Sequence, residues 1–296
     1  MTVRSRGCLI LLLAVISTAC RKHDHTRERT ERTQSPDSSV VSTTAVEFYS
    51  NALQRPAQYL IAFPPDYTSN PASRFPVLLL LHGMDGGPTD WIGKGHLAQY
   101  LPEHHFLVVM PDGADSYYTN AVFRSRDRYE DLITQDLVKD VSQHYRVLEK
   151  REGRGIAGIS MGGYGAVKLA LRFPDEYAFA AGLSSALDAT RRPFAPKRFG
   201  QSLRYLRIFG TYGGNARRTD DVFRLAQQAQ AAPYMYLACG TSEPLLDVNR
   251  SFNRLLERRG LAHEYHEVSG IHSWDSWQRE LPALLDAADR HLSAPQ

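Results

Sequence analysis

The chain is poor in cysteine, with three in 296 residues. Cys8 sits in an N-terminal apolar stretch that reads as a removable leader, and Cys20 stands just after that stretch. Only Cys239, inside the run PYMYLACG, belongs to the part expected to fold. A single thiol forms no intramolecular disulfide, and in an apolar run it reads as a small core residue. The chain also lacks an excess of either charge. Lys and Arg number 35 against 32 Asp and Glu, a formal net charge of +3 that includes Arg4 and Arg6 of the leader. A near-neutral body carries no electrostatic footprint for nucleic acid. Long hydrophobic runs are missing too, since Cys8 to Ile16 is too short to span a bilayer. No internal repeat is visible. What remains is an ordinary globular composition, 43% hydrophobic and 23% charged, in a chain long enough for one large α/β domain or two small ones.

Residues 1–19 read as a signal peptide, with Arg4 and Arg6 as its basic start and Cys8 to Ile16 as its apolar segment. The segment ends in Ser17-Thr18-Ala19-Cys20, which resembles a bacterial lipobox although Ser17 stands where leucine is usual. A lipid on Cys20 would then hold the protein to a membrane; the alternative is an ordinary signal peptide cut near Ala19. Either reading predicts export, to the periplasm or outer cell envelope. Residues 20–44 are charged and then Ser/Thr-rich, the composition of a solvated tether. His23 and His25 flank Asp24 there, but two histidines in a solvated basic segment are read as solubility, not as a metal site.

From residue 45 to 296 the pattern is that of one α/β domain with a mostly parallel central sheet and helices on both faces. Residues 48–53 and 58–63 read as two strands. The unbroken apolar runs 77–81 and 106–110 read as strands buried on both faces, as do 179–183 and 235–239. Residues 129–145 show helical spacing through Leu132, Ile133, Leu137 and Val141. Residues 190–232 hold many Arg, Gly and Ala but no long apolar strand, and read as an irregular, partly helical insertion. A helix over 248–259, a strand over 263–268 and a last helix over 277–292 complete the alternation.

The stretch RGIAGISMGGYGAVKLALRFP carries G-x-S-x-G at Gly158 to Gly162, with an apolar strand before it and a helix after it. Composition alone produces this pattern in roughly one chain of this length in ten. Its position lifts it: a serine on a strand-to-helix corner projects outward, and the flanking glycines avoid collision with neighbouring backbone. A serine hydroxyl is a poor nucleophile without a histidine to accept its proton and a carboxylate to orient that histidine. Among the downstream histidines His263, His266, His272 and His291, His272 is the one in a loop after a strand, within SGIHSW. The acid belongs after strand 235–239, where Glu243 and Asp247 compete. Glu243 lies in the loop and is favoured; Asp247 falls near a helix start, where an acid also serves as a cap. Two backbone N–H groups would complete an oxyanion hole: that of Met161, after the serine, and that of Met84, in the His82-Gly83-Met84 turn.

The segments HGMDGGPTDW, VVMPDG, SYY, GISMGGYGA, CG and GIHSWDSW, in this order, resemble the esterase D family of α/β-hydrolases. That family includes S-formylglutathione hydrolases, feruloyl and acetylxylan esterases, and mycolyltransferases. The resemblance runs from about residue 46 to 290 and implies an α/β-hydrolase fold and a serine carboxylic-ester hydrolase. The family's nucleophile falls on Ser160 and its base on His272. Its acid is usually an aspartate in G-T-x-D, six residues before an asparagine; here that position is Glu243, six before Asn249.

Three other readings compete. Gly153 to Gly158 fits the dinucleotide fingerprint G-x-G-x-x-G, but it precedes a strand instead of opening a helix, so no nucleotide cofactor is expected. A catalytically silent envelope binding protein on the same scaffold would be expected to have lost Ser160, Glu243 or His272. Acyl transfer to a sugar acceptor uses the same groups as hydrolysis. The substrate expected is a small-molecule or glycan acyl ester, and export argues against glutathione thioesters. Tyr117, Tyr118 and Trp274, with Trp277, lie near the site loops and read equally as stacking platforms for the substrate or as core aromatics.

Overall fold

A computed structural model describes residues 41–296. The expected signal peptide, Cys20 and the His23–Asp24–His25 cluster therefore lie outside the described residues. The strands are β1 (Thr43–Ser50), β2 (Arg55–Ala62), β3 (Val77–Leu81), β4 (Leu107–Pro111), β5 (Arg154–Ile159), β6 (Phe179–Leu183), β7 (Tyr234–Gly240) and β8 (His263–Val268). They form one sheet in the order β1-β2-β4-β3-β5-β6-β7-β8. β1 with β2 and β2 with β4 are antiparallel, and every later pair is parallel. The helices are α1 (Asp90–Gly93), α2 (Tyr129–Asp131), α3 (Val138–His144), α4 (Met161–Arg172), α5 (Phe199–Phe209), α6 (Asn215–Thr219), α7 (Val222–Gln228), α8 (Leu246–Arg259) and α9 (Trp274–His291).

Period-two alternation divides the central strands between two cores. Val77, Leu79 and Leu81 of β3 face one cluster with Leu107 and Val109 of β4, joined by residues of α3, α4, α7 and α8. Leu78 and Leu80 face the other with Val108 and Met110, covered by Trp91 and by Leu281, Leu284 and Leu285 of α9. Each large side chain so buried contributes about 1.5–3 kcal/mol, which is why β3 and β4 are apolar at every position.

Two features differ from the sequence reading. β1 begins at Thr43, inside the segment expected to be tether, because Thr43 to Ser50 pair along their full length with β2. The helix expected over 129–145 is interrupted by a π-helical segment, Leu132–Leu137. Within that segment the Asp136 carboxylate accepts from Ser50 Oγ at 2.6 Å and Ala52 N–H at 2.8 Å, tying it to the β1–β2 turn. The region 190–232 contributes no strand to the sheet; it holds α5, α6 and α7.

Candidate active site

In a parallel sheet the carboxyl ends of neighbouring strands open on one edge, where loops converge. β5 ends at Ser160, which has φ 52° and ψ −110°, a conformation few L-residues adopt. Its N–H is held by Leu183 O at 2.9 Å. A Cβ on Gly158 would strike the Gly162 backbone, and one on Gly162 would strike the carbonyl oxygens of Leu81 and His82. Both glycines are thus required for the corner that turns Ser160 outward.

β7 ends at Gly240 and its loop carries Glu243; the loop after β8 carries His272. The structure brings both to Ser160. His272 Nε2 lies 2.9 Å from Ser160 Oγ, and His272 Nδ1 lies 2.5 Å from Glu243 Oε2. The other carboxylate oxygen, Oε1, accepts from Ser184 Oγ at 2.5 Å, Gly240 N–H at 2.6 Å and Cys239 Sγ at 3.3 Å. The Glu243 side chain is 0% exposed. Burial alone would raise its pKa, but the hydrogen bonds from His272, Ser184, Gly240 and Cys239 outweigh burial and hold the carboxyl below its ordinary value. Burial, and then the Glu243 charge, push the Cys239 thiol well above its ordinary value, so it stays an S–H donor.

Asp247 is not near this constellation. Its side chain is 98% exposed, and its nearest charged partner is Arg250 at 3.9 Å. It occupies the first turn of α8, facing solvent.

Ser184, which the sequence reading passed over, is the link between two layers. Its hydroxyl donates to Glu243 and accepts from Trp277 Nε1 at 2.9 Å. The Trp277 ring stands edge-on to His272, with centroids 4.9 Å apart. The visible signal is the Ser184-Ser185 pair ending a buried strand next to β5.

The His82-Gly83-Met84 turn is fixed by a buried histidine. His82 Nε2 accepts from Gly113 N–H at 2.9 Å, so its proton is on Nδ1, which donates to Gly83 O at 2.7 Å. Fixing that carbonyl turns the N–H of the same trans peptide, on Met84, the opposite way. Met161 is the first residue of α4, so its N–H has no intrahelical acceptor.

These groups lie at the base of a cavity of about 730 Å³ whose walls include Met84, Tyr117, Trp274, Arg192 and Tyr205. Trp274 is half-buried there and packs edge-on to Trp91 and Trp277. Tyr117 borders the cavity but is nearly buried, its hydroxyl 3.0 Å from that of Tyr205. Tyr118 corrects the expectation of a substrate contact: it is 0% exposed and outside the cavity lining. Its hydroxyl donates to His82 O at 3.1 Å, and its ring packs where Gly113 and Gly165 leave room for it. It supports the His82 turn from beneath.

A family model described as "Putative esterase" matches residues 50–287. The chain belongs to this esterase family. It is a carboxylic ester hydrolase with the α/β-hydrolase fold. Among relatives of this esterase, an acetyl esterase of Caldicellulosiruptor saccharolyticus is 26% identical over 248 residues, 79% of this chain and 93% of that protein. Esterase Rv1288 of Mycobacterium tuberculosis is 27% identical over 259 residues, which span 76% of this chain but only 55% of that longer protein. Among solved structures, a ferulic acid esterase superposes with TM-score 0.73 at 20% identity, covering 86% of this chain and 99% of that one. An S-formylglutathione hydrolase of Staphylococcus aureus superposes with TM-score 0.72 at 22% identity, covering 84% and 98%.

Proposed function

We propose that this esterase acts through Ser160 as nucleophile, His272 as general base and acid, and Glu243 as the acid that orients His272. The observation that carries the reading is His272, bonded to Ser160 through one ring nitrogen and to Glu243 through the other. As Ser160 Oγ attacks the acyl carbonyl, its proton passes to His272 Nε2, and Glu243 stabilises the imidazolium. The carbonyl oxygen becomes an oxyanion received by the N–H groups of Met84 and Met161. Collapse breaks the bond to the alcohol, which leaves with the proton from His272, and an acyl-enzyme remains on Ser160. Water then attacks, gives its proton to His272, and the carboxylic acid departs as Ser160 recovers the proton. Acetyl and feruloyl esters are the first substrates to test, given the names of the relatives. The enzyme is exported to the cell envelope, and Cys20 carries its lipid.

A fluorophosphonate should label the protein covalently on Ser160, and Ser160→Ala should lose on the order of 10⁵–10⁶ in kcat on p-nitrophenyl acetate. An unlabelled wild-type protein, or label on another residue, would overturn the assignment. Radiolabelled palmitate incorporated at Cys20 supports the anchor, and its absence from Cys20 refutes it.

A further inference from the structure

The region that roofs the cavity has a charge pattern unlike the rest of the chain. From Ala189 to Thr219 there are eight Lys and Arg and no Asp or Glu. The carboxylates that border it are already paired: Asp188 with Arg192, Asp115 with Arg204, Asp221 with Arg191 and Asp127 with Arg55. Lys197, Arg198 and Arg207 have no carboxylate partner among the described residues, and neither do Arg124 and Arg126 of the adjacent loop.

The same surface collects the exposed apolar side chains. Phe199, 59% exposed, and Leu203 stand one turn apart on α5, with Arg207 one turn further on. Phe194 packs edge-on to Phe199 at 6.1 Å. Val122 and Phe123, also exposed, are fastened beside this helix, since their N–H groups donate to Ile208 O and Arg207 O. Among the described residues, the exposed large apolar side chains away from this surface, apart from Tyr212 just past α5, are Tyr49 and Ile271. The other side of α5 faces inward, with Gln201, Ser202 and Tyr205 lining the cavity.

We propose that this face is a docking surface for an anionic phospholipid bilayer. An aromatic and leucine stripe rimmed by unpaired Lys and Arg is the composition that lies in a membrane interface, apolar groups at the acyl boundary and cations at the phosphates. The complementarity is of charge as well as polarity: a stretch without carboxylates meets a surface of phosphates. Docking sets the mouth of the cavity against the lipid surface, so that, resting on the proposed role of Ser160, an ester carried in that surface reaches the nucleophile. The docking itself does not depend on Cys20.

The test uses the full chain, with tryptophan probes at two exposed aromatic positions: Phe199→Trp on the face and Tyr49→Trp on the distant strand β1. Vesicles contain phosphatidylglycerol and brominated phosphatidylcholine. Quenching at position 199 beyond that of the unsubstituted chain, which carries Trp91, Trp274 and Trp277, with no excess at 49, weakened by added salt, is expected. In the Phe199→Trp background, Lys197→Glu with Arg207→Glu should lower the affinity read by quenching on the order of 20-fold or more, while hydrolysis of soluble p-nitrophenyl acetate stays at the unsubstituted level. Excess quenching equal at both positions assigns membrane binding to the basic N-terminal segment and overturns the proposal, as does no excess at 199. A dimer in sedimentation that dissociates on Phe199→Ser also overturns it, in favour of a second copy. Loss of soluble-ester activity in the wild type counts against the esterase mechanism and leaves the quenching result to decide docking.

Discussion

Replacing Ser184 with alanine isolates the support behind the carboxylate. The substitution removes the donor at 2.5 Å from Glu243 Oε1 and the acceptor at 2.9 Å for Trp277 Nε1. Glu243 keeps Gly240 N–H, Cys239 and His272. A hydrogen bond to a charged group contributes about 1.5–3 kcal/mol. With about half of that felt in the transition state, kcat falls roughly three- to tenfold, since about 1.4 kcal/mol is one decade. KM should hardly move, because Ser184 does not line the cavity. The buried Trp277 N–H left without an acceptor lowers stability by about 1–3 kcal/mol. Ser184 has φ 49°, so Ser184→Gly removes the same hydroxyl while relieving left-handed strain of about 1 kcal/mol. The two variants should therefore lose kcat equally and differ in stability. The pH dependence has a definite sign. The folded Glu243 carboxyl is held below its unfolded value, so its stabilisation is present above about pH 4.3 and is lost as pH falls through the folded value. Removing a donor raises the folded value toward the unfolded one. The stability gap between wild type and variant is then widest near neutrality and narrows in acid. Urea titrations at several pH values and p-nitrophenyl acetate kinetics measure both. A kcat within twofold of wild type, or a gap that stays the same as pH is lowered through the folded Glu243 value, would refute Ser184 as the residue that positions Glu243.

Glu243→Gln should lower kcat by several orders of magnitude in the same assay, whereas Asp247→Asn should stay within about twofold, because Asp247 faces solvent. A larger loss in the Asp247 variant would transfer the role of acid. Lys168, fully buried, donates to Glu130 Oε2 and Tyr118 O at 2.7 Å and to Thr119 Oγ1 at 2.9 Å. Lys168→Met should cost about 3–5 kcal/mol in urea unfolding; a loss under about 1 kcal/mol would mean that Arg172, which also pairs with Glu130, compensates alone.

Much of this arrangement was legible in the sequence because it rests on local rules. Buried strands announce themselves as unbroken apolar runs, and the serine corner as glycines at fixed offsets. His272 stood out as the histidine in a loop between a strand and a helix. The two acids were separable only weakly, because Glu243 and Asp247 lie four residues apart across a turn. The partners that hold Glu243 inward include His272, 29 residues later in the chain, and Ser184, 59 residues earlier. The two readings open for Tyr118 were inseparable for a related reason. Tyr117 of the SYY segment borders the cavity, but Gly165 of α4 opens a recess beneath Tyr118 and Lys168 captures its carbonyl. Nothing near residue 118 encodes that recess.

The contacts of Glu243 show how a buried glutamate is held here. Its two oxygens divide their partners: Oε2 meets the His272 loop, and Oε1 meets Ser184 at the end of β6 and Cys239 and Gly240 of β7. A carboxylate buried this deeply carries a desolvation cost that one histidine would not offset. The added donors offset it, and because they come from adjacent parallel strands, their spacing is set by the sheet itself. Trp277, at the start of α9, closes the circuit by holding Ser184 and bracing the His272 ring. His272 and Glu243 are thus aligned by the same strand ends and helix that the apolar core fixes in place, so the orientation of His272 toward Ser160 follows from the packing of the sheet and α9 as much as from the loops that carry these residues.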